Sequence, residues 1–262
     1  MLRDTPLWEL SKGEGAPVSY LFGSVHVRDL RAYPWFDMAL ERLHACTAFA
    51  TEIPLGQNEM AEVPDLFRNP GDESLTALLK PAYWQRLDRL SRRLTGIPAL
   101  FWNNVHPMVV FSNLHSAMLG HEMPYSLDEA LWREAEKAGK RLLNMESLSS
   151  QMEVVARIPI HSHIENLKAL LRNHRATARR LNRMLAQYRR GDIQGLYQSA
   201  NSELGGMRRV MLQERNRTMS RRFAEIASEQ SLFCVVGAAH LAGAKGMLRY
   251  LKHAGFRVRG VS

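Results

Sequence analysis

The stretch Tyr20-Leu21-Phe22-Gly23-Ser24-Val25-His26 is an apolar run that leads into a glycine, two small residues and a histidine. A second run near the far end, Phe233-Cys234-Val235-Val236-Gly237-Ala238-Ala239-His240, repeats this pattern. Each run predicts a buried strand, because such a strand needs continuous apolar residues and a terminal glycine permits a sharp turn or a close backbone approach. We therefore expect each Gly-x-x-His histidine at the carboxyl end of a strand, where open α/β sheets place their sites.

The composition is that of an ordinary globular protein with room for a substantial core. The chain has 262 residues, of which 45% are hydrophobic and 23% charged. Its 35 Lys and Arg residues exceed its 26 Asp and Glu residues, which gives a net charge of +9. Such an excess can indicate a nucleic-acid or anionic-membrane partner. Much of it lies between Arg172 and Arg190, where helical periodicity predicts a solvated helix face, so we expect no nucleic-acid partner.

No stretch of the chain has the about 18 consecutive apolar residues of a transmembrane helix, so none is expected. The first residues also lack the apolar core of a secretory signal. We expect a cytoplasmic protein as written, and a secreted or membrane-associated one if the sequence is a trimmed piece. Cys46 and Cys234 lie in apolar surroundings and are expected to be small buried hydrophobes, although a bridge between them stays open.

The pattern of elements predicts an α/β (α+β) fold, a mixed β-sheet core capped by a large helical region, in a single domain over 1–262. A β-α-β unit with a right-handed crossover opens the chain. We place the helical insert at approximately 74–138 and 153–229. The predicted strands lie at 7–10, 18–22, 47–53, 141–146, 231–236 and 256–261.

Four polar residues fall at or just past predicted strand ends: His26, Glu52, Glu146 and His240. These side chains face one common edge if the strands are parallel neighbours. Two imidazoles with one or two carboxylates are a common ligand set for a catalytic divalent metal with an open position. A spare carboxylate could then activate a water. A lone histidine at a strand end is more often a hydrogen-bonded core residue, so it is the set of four that favours a site.

Several ordered segments resemble the TraB/PrgY/GumN family over about residues 7 to 261. They are Leu7-Trp8-Glu9-Leu10, the two Gly-x-x-His runs, Thr51-Glu52-Ile53, Leu127-Asp128-Glu129, Gly139-Lys140-Arg141, Met145-Glu146-Ser147, Gln151, Glu214-Arg215-Asn216, Gly243, Gly246 and Gly255-Phe256-Arg257-Val258. The resemblance implies a fold similar to that of the erythromycin-esterase/ChaN-like proteins. Where the family usually has Leu-Glu-Thr, this chain has Met145-Glu146-Ser147, which keeps the carboxylate.

The family includes the TIKI proteins, membrane-tethered metalloproteases that use manganese or cobalt. The resemblance therefore implies a metal-dependent hydrolase, and best a metallopeptidase that cleaves a short or unstructured peptide. His26, His240 and Glu52 match the expected metal-binding positions, with manganese or cobalt as the metal and zinc as a further option. Glu52, Glu146, Arg215 and Asn216 match the expected catalytic positions, and the division of Glu52 and Glu146 into ligand and base stays open.

Arg215 could clamp a carboxylate of the substrate, or it could orient Glu52 or Glu146 through a bidentate pair. A peptide or protein is the expected partner, and the oligomeric state stays open. Cleavage of Wnt proteins is not implied. The alternative from another class is a non-catalytic protein that binds or sequesters a peptide, and a third hypothesis is a haem-associated protein.

Overall fold

The computed structural model describes residues 5–55, 68–69 and 73–261, and it has the predicted α/β fold. Its mixed six-stranded sheet has the order β4-β3-β5-β2-β1-β6. The strands are β1 (Leu7–Ser11), β2 (Ser19–Ser24), β3 (Ala48–Thr51), β4 (Arg141–Asn144), β5 (Leu232–Gly237) and β6 (Arg257–Gly260). The predicted fold class, a sheet accompanied by many helices, is confirmed.

Four neighbouring strands run parallel. β5 pairs in parallel with β2 on one side and with β3 on the other, and β3 pairs in parallel with β4. β1 is antiparallel to both β2 and β6. The carboxyl ends of β4, β3, β5 and β2 therefore meet at one edge. After β3 the chain goes on to β4, whereas after β5 it goes on to β6 at the opposite edge, so the connections diverge between β3 and β5 as they do beside the sites of open α/β sheets.

The glycine of the first Gly-x-x-His motif permits a close approach between β2 and the turn that follows β5. β2 is buried along its whole length. A Cβ on Gly23 would lie 2.5 Å from Leu241 Cδ1 and 3.0 Å from Ala238 Cα. Such distances exclude a side chain, so the apolar run must carry a glycine here for the turn to pack on the strand.

Eleven α-helices occur in the described part of the chain. They are α1 (Phe36–His44), α2 (Leu75–Leu78), α3 (Pro81–Thr95), α4 (Pro107–Ser116), α5 (Leu127–Lys137), α6 (Leu148–Ala156), α7 (Ile160–Arg172), α8 (His174–Arg189), α9 (Ile193–Leu204), α10 (Arg215–Glu229) and α11 (Met247–His253). Their starts follow the local signals: Pro81 occupies the first turn of α3, and the hydroxyl of Ser126 accepts a hydrogen bond from the N–H of Glu129 at 3.4 Å.

The chain divides into two compact units. The unit that holds the sheet comprises Met1–Leu55, Glu122–Gln151 and Met184–Ser262, and the other comprises Gly56–His121 and Met152–Arg183. The described residues of the second unit have a helical core of their own, in which Leu75, Leu87 and Leu167 are fully buried. The predicted insert at 74–138 and 153–229 was wider than this unit, since α5, α9 and α10 belong to the unit of the sheet.

The approach to α10 is irregular. A 3₁₀ turn lies at Gly205–Met207, and a π-helix at Arg209–Glu214 then leads directly into α10. The sequence did not predict the π-helix, because no residue type marks an i→i+5 turn. π-helices are rare and occur frequently at functional sites.

Cys46 and Cys234 are buried and free, as small hydrophobes are. Burial raises the pKa of the Cys46 thiol to about 12, so it remains protonated near neutral pH. Within the described ranges, no helix is both long enough and apolar enough to cross a membrane.

Candidate active site

The edge where the parallel strands end gathers the four polar residues that the sequence placed there. Glu146 and Glu52 follow β4 and β3, His240 closes the 3₁₀ turn Ala238–His240 after β5, and His26 follows β2. Across the sheet their order is therefore 146, 52, 240, 26, although their order along the chain is different. Four segments far apart in sequence converge because their strands are parallel neighbours.

Glu52 lies at the centre of the group, and 8% of the residue is exposed. Its Oε1 accepts a hydrogen bond from the N–H of Gly237 at 2.6 Å, and its Oε2 lies 2.6 Å from Nη2 of Arg215. Burial alone would raise the pKa of this carboxyl, but the charges of His240, Arg215 and His26 and the Gly237 N–H lower it. Since His240 is itself neutral near neutral pH, we assign the lowering mainly to the permanent charge of Arg215.

Arg215 joins the two glutamates. Its Nη2 lies 2.6 Å from Glu52 Oε2 and 2.7 Å from Glu146 Oε2, while its Nε donates to Glu146 Oε2 at 2.8 Å. The residue is 8% exposed. Of the two roles predicted for Arg215, these contacts fit the orientation of carboxylates, because a buried guanidinium shared by two glutamates is poorly placed to clamp a substrate.

His240 is held by Asn216, the residue after Arg215. The amide nitrogen of Asn216 donates to the carbonyl of Lys245 at 2.7 Å, so its Oδ1 is the atom that faces His240 Nδ1 at 2.5 Å. That oxygen can only accept, and we therefore assign the proton of the imidazole to Nδ1. Burial lowers the pKa of His240 to about 4, so near neutral pH its Nε2 carries a lone pair.

The lone pair of His240 Nε2 meets another acceptor. Nε2 lies 3.5 Å from Glu52 Oε1. In a neutral imidazole protonated at Nδ1, neither of these atoms has a hydrogen to offer the other. Two buried acceptors at this separation are stabilised by a cation or a proton placed between them.

His26 lies on the solvent side of the group, and 58% of its side chain is exposed. Its Nδ1 is 2.9 Å from Oδ2 of Asp128, a carboxylate whose other oxygen accepts a short hydrogen bond from the hydroxyl of Ser24. The charge of Asp128 raises the pKa of His26 to about 9, while burial acts in the opposite direction and solvent screens the pair. With Nδ1 paired to Asp128, Nε2 is the ring atom left for another partner.

Three groups surround one point beside Gly237. A Cβ added there would lie 3.3 Å from Glu52 Oε1, 3.5 Å from His240 Cδ2 and 3.7 Å from His26 Nε2. The backbone of Gly237 has a φ of −58°, which any residue can adopt. The second Gly-x-x-His glycine therefore keeps space free between the three groups, whereas the first permits close packing.

His26, Glu52 and His240 fit a divalent metal in the type and state of their donor atoms. They offer two imidazole nitrogens and one carboxylate oxygen, and Asp128 and Asn216 supply the outer hydrogen bonds that usually orient metal-binding histidines. In the parts of the chain that the structure describes, no group of three such side chains is already drawn together at coordination spacing. The assignment of a metal to these residues stays a prediction.

Two contributors to this site were missed from the sequence. Asp128 is the second residue of α5, where an acidic side chain is common because it favours the amino-terminal end of a helix. Its segment, Leu127-Asp128-Glu129, contributed to the family resemblance, but no pattern connected it with His26. The Gly237 N–H was missed because backbone donors leave no signature in a sequence.

The fold and this edge define an α/β protein with a cluster of histidines and carboxylates at the ends of four parallel strands, in which Glu52 and His240 are buried. The family model of the TraB/PrgY/gumN family matches residues 6–260, and the chain belongs to that family. Among curated proteins no match to the chain is found, and among solved structures none is found either.

Proposed function

We propose that the protein is a metal-dependent hydrolase, and specifically a metallopeptidase that cleaves a short or unstructured peptide. The observation that carries this proposal is the pair of acceptors formed by His240 Nε2 and Glu52 Oε1 at 3.5 Å. A divalent cation satisfies both acceptors, and the imidazole of His26 approaches the same point. Manganese and cobalt are the metals that we expect, with zinc as a further option.

The charge of the cluster supports a cation. The three carboxylates of Glu52, Glu146 and Asp128 face the guanidinium of Arg215 and the imidazolium of His26. One negative charge is then left in a largely buried group, and a buried charge without a partner is costly. Once His26 gives up its proton, a bound divalent cation makes the group neutral.

In the proposed mechanism, His26, His240 and Glu52 would hold the metal. A divalent metal at such a site lowers the pKa of water from 15.7 to about 7, which makes hydroxide available at neutral pH. Asn216 keeps the proton of His240 on Nδ1, and Arg215 fixes both glutamates. Glu146, which shares Nη2 of Arg215 with Glu52, is the carboxylate that would accept the proton of the attacking water.

The test is the cleavage of a set of unstructured peptides by the purified protein with added manganese or cobalt, followed by mass spectrometry. We expect cleavage by the wild type and a loss of more than about 100-fold in His26→Ala and His240→Ala, since each removes a ligand. His253→Ala is the matched control, because this histidine is exposed at the end of α11 and should leave the rate unchanged.

Two other outcomes would replace the proposal. Peptide that is bound and recovered intact after long incubation with either metal would support the sequestering alternative. A Soret band in the purified protein would support the haem-associated hypothesis. Undiminished cleavage in both histidine variants would contradict the assignment of the site.

A further inference from the structure

The ring of His26 needs an external support to face the site. The neighbours of His26 along the chain, Val25 and Val27, are both 8% exposed and anchor the backbone, whereas the histidine side chain is 58% exposed. An exposed imidazole turns about its χ angles, and fixing it costs conformational entropy. The backbone alone therefore does not determine where Nε2 points.

Asp128 supplies that support from a rigid position. It begins α5 beside Leu127, which is fully buried, and Asp128 itself is 3% exposed. One carboxylate oxygen accepts the hydroxyl hydrogen of Ser24, the last residue of β2. The other oxygen lies 2.9 Å from His26 Nδ1 and has no further hydrogen-bond partner among the residues that the structure describes.

This arrangement is more than a surface ion pair. A buried carboxylate oxygen requires a hydrogen-bond donor, and the donor facing this one is a side chain that is mostly in solvent. The carboxylate is fixed by helix and strand, so it is the histidine that must adapt its orientation and its tautomer. A proton held on Nδ1 leaves Nε2, on the opposite side of the ring, as the atom near Glu52 and His240.

We propose that Asp128 is a positioning residue, which with Ser24 fixes the His26 imidazole with its proton on Nδ1 and Nε2 directed to the point between Glu52 and His240. This inference rests on the proposed function for the partner of Nε2, which is a divalent cation. Asp128 itself touches neither the cation nor the substrate. Its contribution is to remove the tautomer and the ring orientations in which Nε2 cannot bind.

The test is Asp128→Asn in the full chain. The amide of an asparagine donates a hydrogen to Nδ1 in place of accepting one, which moves the imidazole proton to Nε2, the wrong tautomer for a ligand. Nitrogen-15 NMR of labelled histidine at about pH 10, above the pKa of His26, should show Nδ1 protonated and Nε2 unprotonated in the wild type, and the reverse in the variant. Titration with Mn²⁺ or Co²⁺ alone should show affinity lower by about 10–100-fold, as expected for the loss of an outer-sphere partner.

The control is Asp37→Asn, an exposed aspartate in the first turn of α1, which should change neither the imidazole proton nor the affinity. If Asp128→Asn does not fold, Ser24→Ala loosens the same carboxylate and should lower the affinity by a smaller factor. An unprotonated Nδ1 in the folded wild type would overturn the inference, and so would unchanged tautomer and affinity in Asp128→Asn. A wild type that binds neither metal contradicts the proposed function, whereas the proton position in Asp128→Asn still decides the role of this residue.

Discussion

The two glycines of the Gly-x-x-His motifs should respond in opposite ways to the same substitution. In Gly23→Ala the new methyl group would lie 2.5 Å from Leu241 Cδ1 and 3.0 Å from the backbone of Ala238. Because one of these atoms is backbone, the turn after β5 has to move. Overpacking of this kind lowers the free energy of unfolding by about 1–3 kcal/mol. At about 2–4 °C per kcal/mol for a chain of this size, the thermal midpoint should fall by several degrees.

We expect Gly237→Ala to fold with unchanged stability but to lose metal binding at the site. The backbone conformation of Gly237 suits alanine. The substitution also lowers the entropy of the unfolded chain, which stabilises the folded state by about 0.4–1 kcal/mol and offsets the cost of a small shift of Glu52. The methyl group would lie 3.3 Å from Glu52 Oε1 and 3.7 Å from His26 Nε2. Metal–ligand distances of about 2.0–2.2 Å leave no room for both methyl and cation. We expect metal affinity to fall by more than about 100-fold, as for loss of a ligand.

The assay pairs thermal denaturation followed by circular dichroism with calorimetric titration of Mn²⁺, for both variants and the wild type. Gly206→Ala serves as the control, because a Cβ there meets no atom within 4 Å and the backbone φ is not positive. The reasoning is refuted if Gly23→Ala melts with the wild type. It is equally refuted if folded Gly237→Ala binds the metal as tightly as the wild type.

Two further predictions concern charge. Arg215→Met leaves two buried carboxylates without their shared cation, so the free energy of unfolding measured with urea should fall by about 3–5 kcal/mol, while Arg217→Met on the exposed side of α10 should change it little. Metal affinity should rise about tenfold per pH unit up to about pH 9, because His26 has a raised pKa and must release one proton before it binds. Calorimetric titration at about pH 6, 7 and 8, all below the pKa of His26, measures this slope. A metal affinity that does not change with pH would contradict His26 as a ligand.

The strand ends could be predicted from the sequence because the local signals and the global arrangement agree. Continuous apolar runs located β2 and β5, and the carboxylate after each of two further runs located Glu52 and Glu146. Parallel strands bring their carboxyl ends to one edge whatever the strand order, so the gathering of the four residues did not require the order to be known.

The pairing within the site could not be predicted in the same way. Arg215 and Asn216 lie next to Arg217 on a basic helix, and the pattern alone favours a surface position for the Arg215-Asn216 pair. The structure buries the first two, at 8% and 1% exposure, and leaves the third exposed. Helical periodicity indicates which face is buried but does not identify its neighbours. Only the resemblance to the family pointed to Arg215 and Asn216.

The bounds of the two compact units could not be predicted for a related reason. Amphipathic helices at 127–137 and at 193–229 carry apolar faces like those of the remaining helices, and each face could pack on a sheet or on other helices. The contacts assign these helices to the unit with the sheet. Such assignments depend on shape complementarity between distant segments, which composition and spacing do not encode.

The π-helix at Arg209–Glu214 affects the direction in which the side chains of α10 point. A turn closed by i→i+5 bonds holds one residue more than an α-turn. Each residue of an α-helix rotates the side-chain direction by about 100° around the helix axis. The extra residue of the π-turn therefore contributes to the orientation in which Arg215 and Asn216 are buried. A one-residue deletion in this turn would rotate both side chains away from the glutamates and His240, although every residue of the cluster would still be present. The arrangement of the candidate site therefore depends on the number of residues in this turn as well as on the side chains themselves.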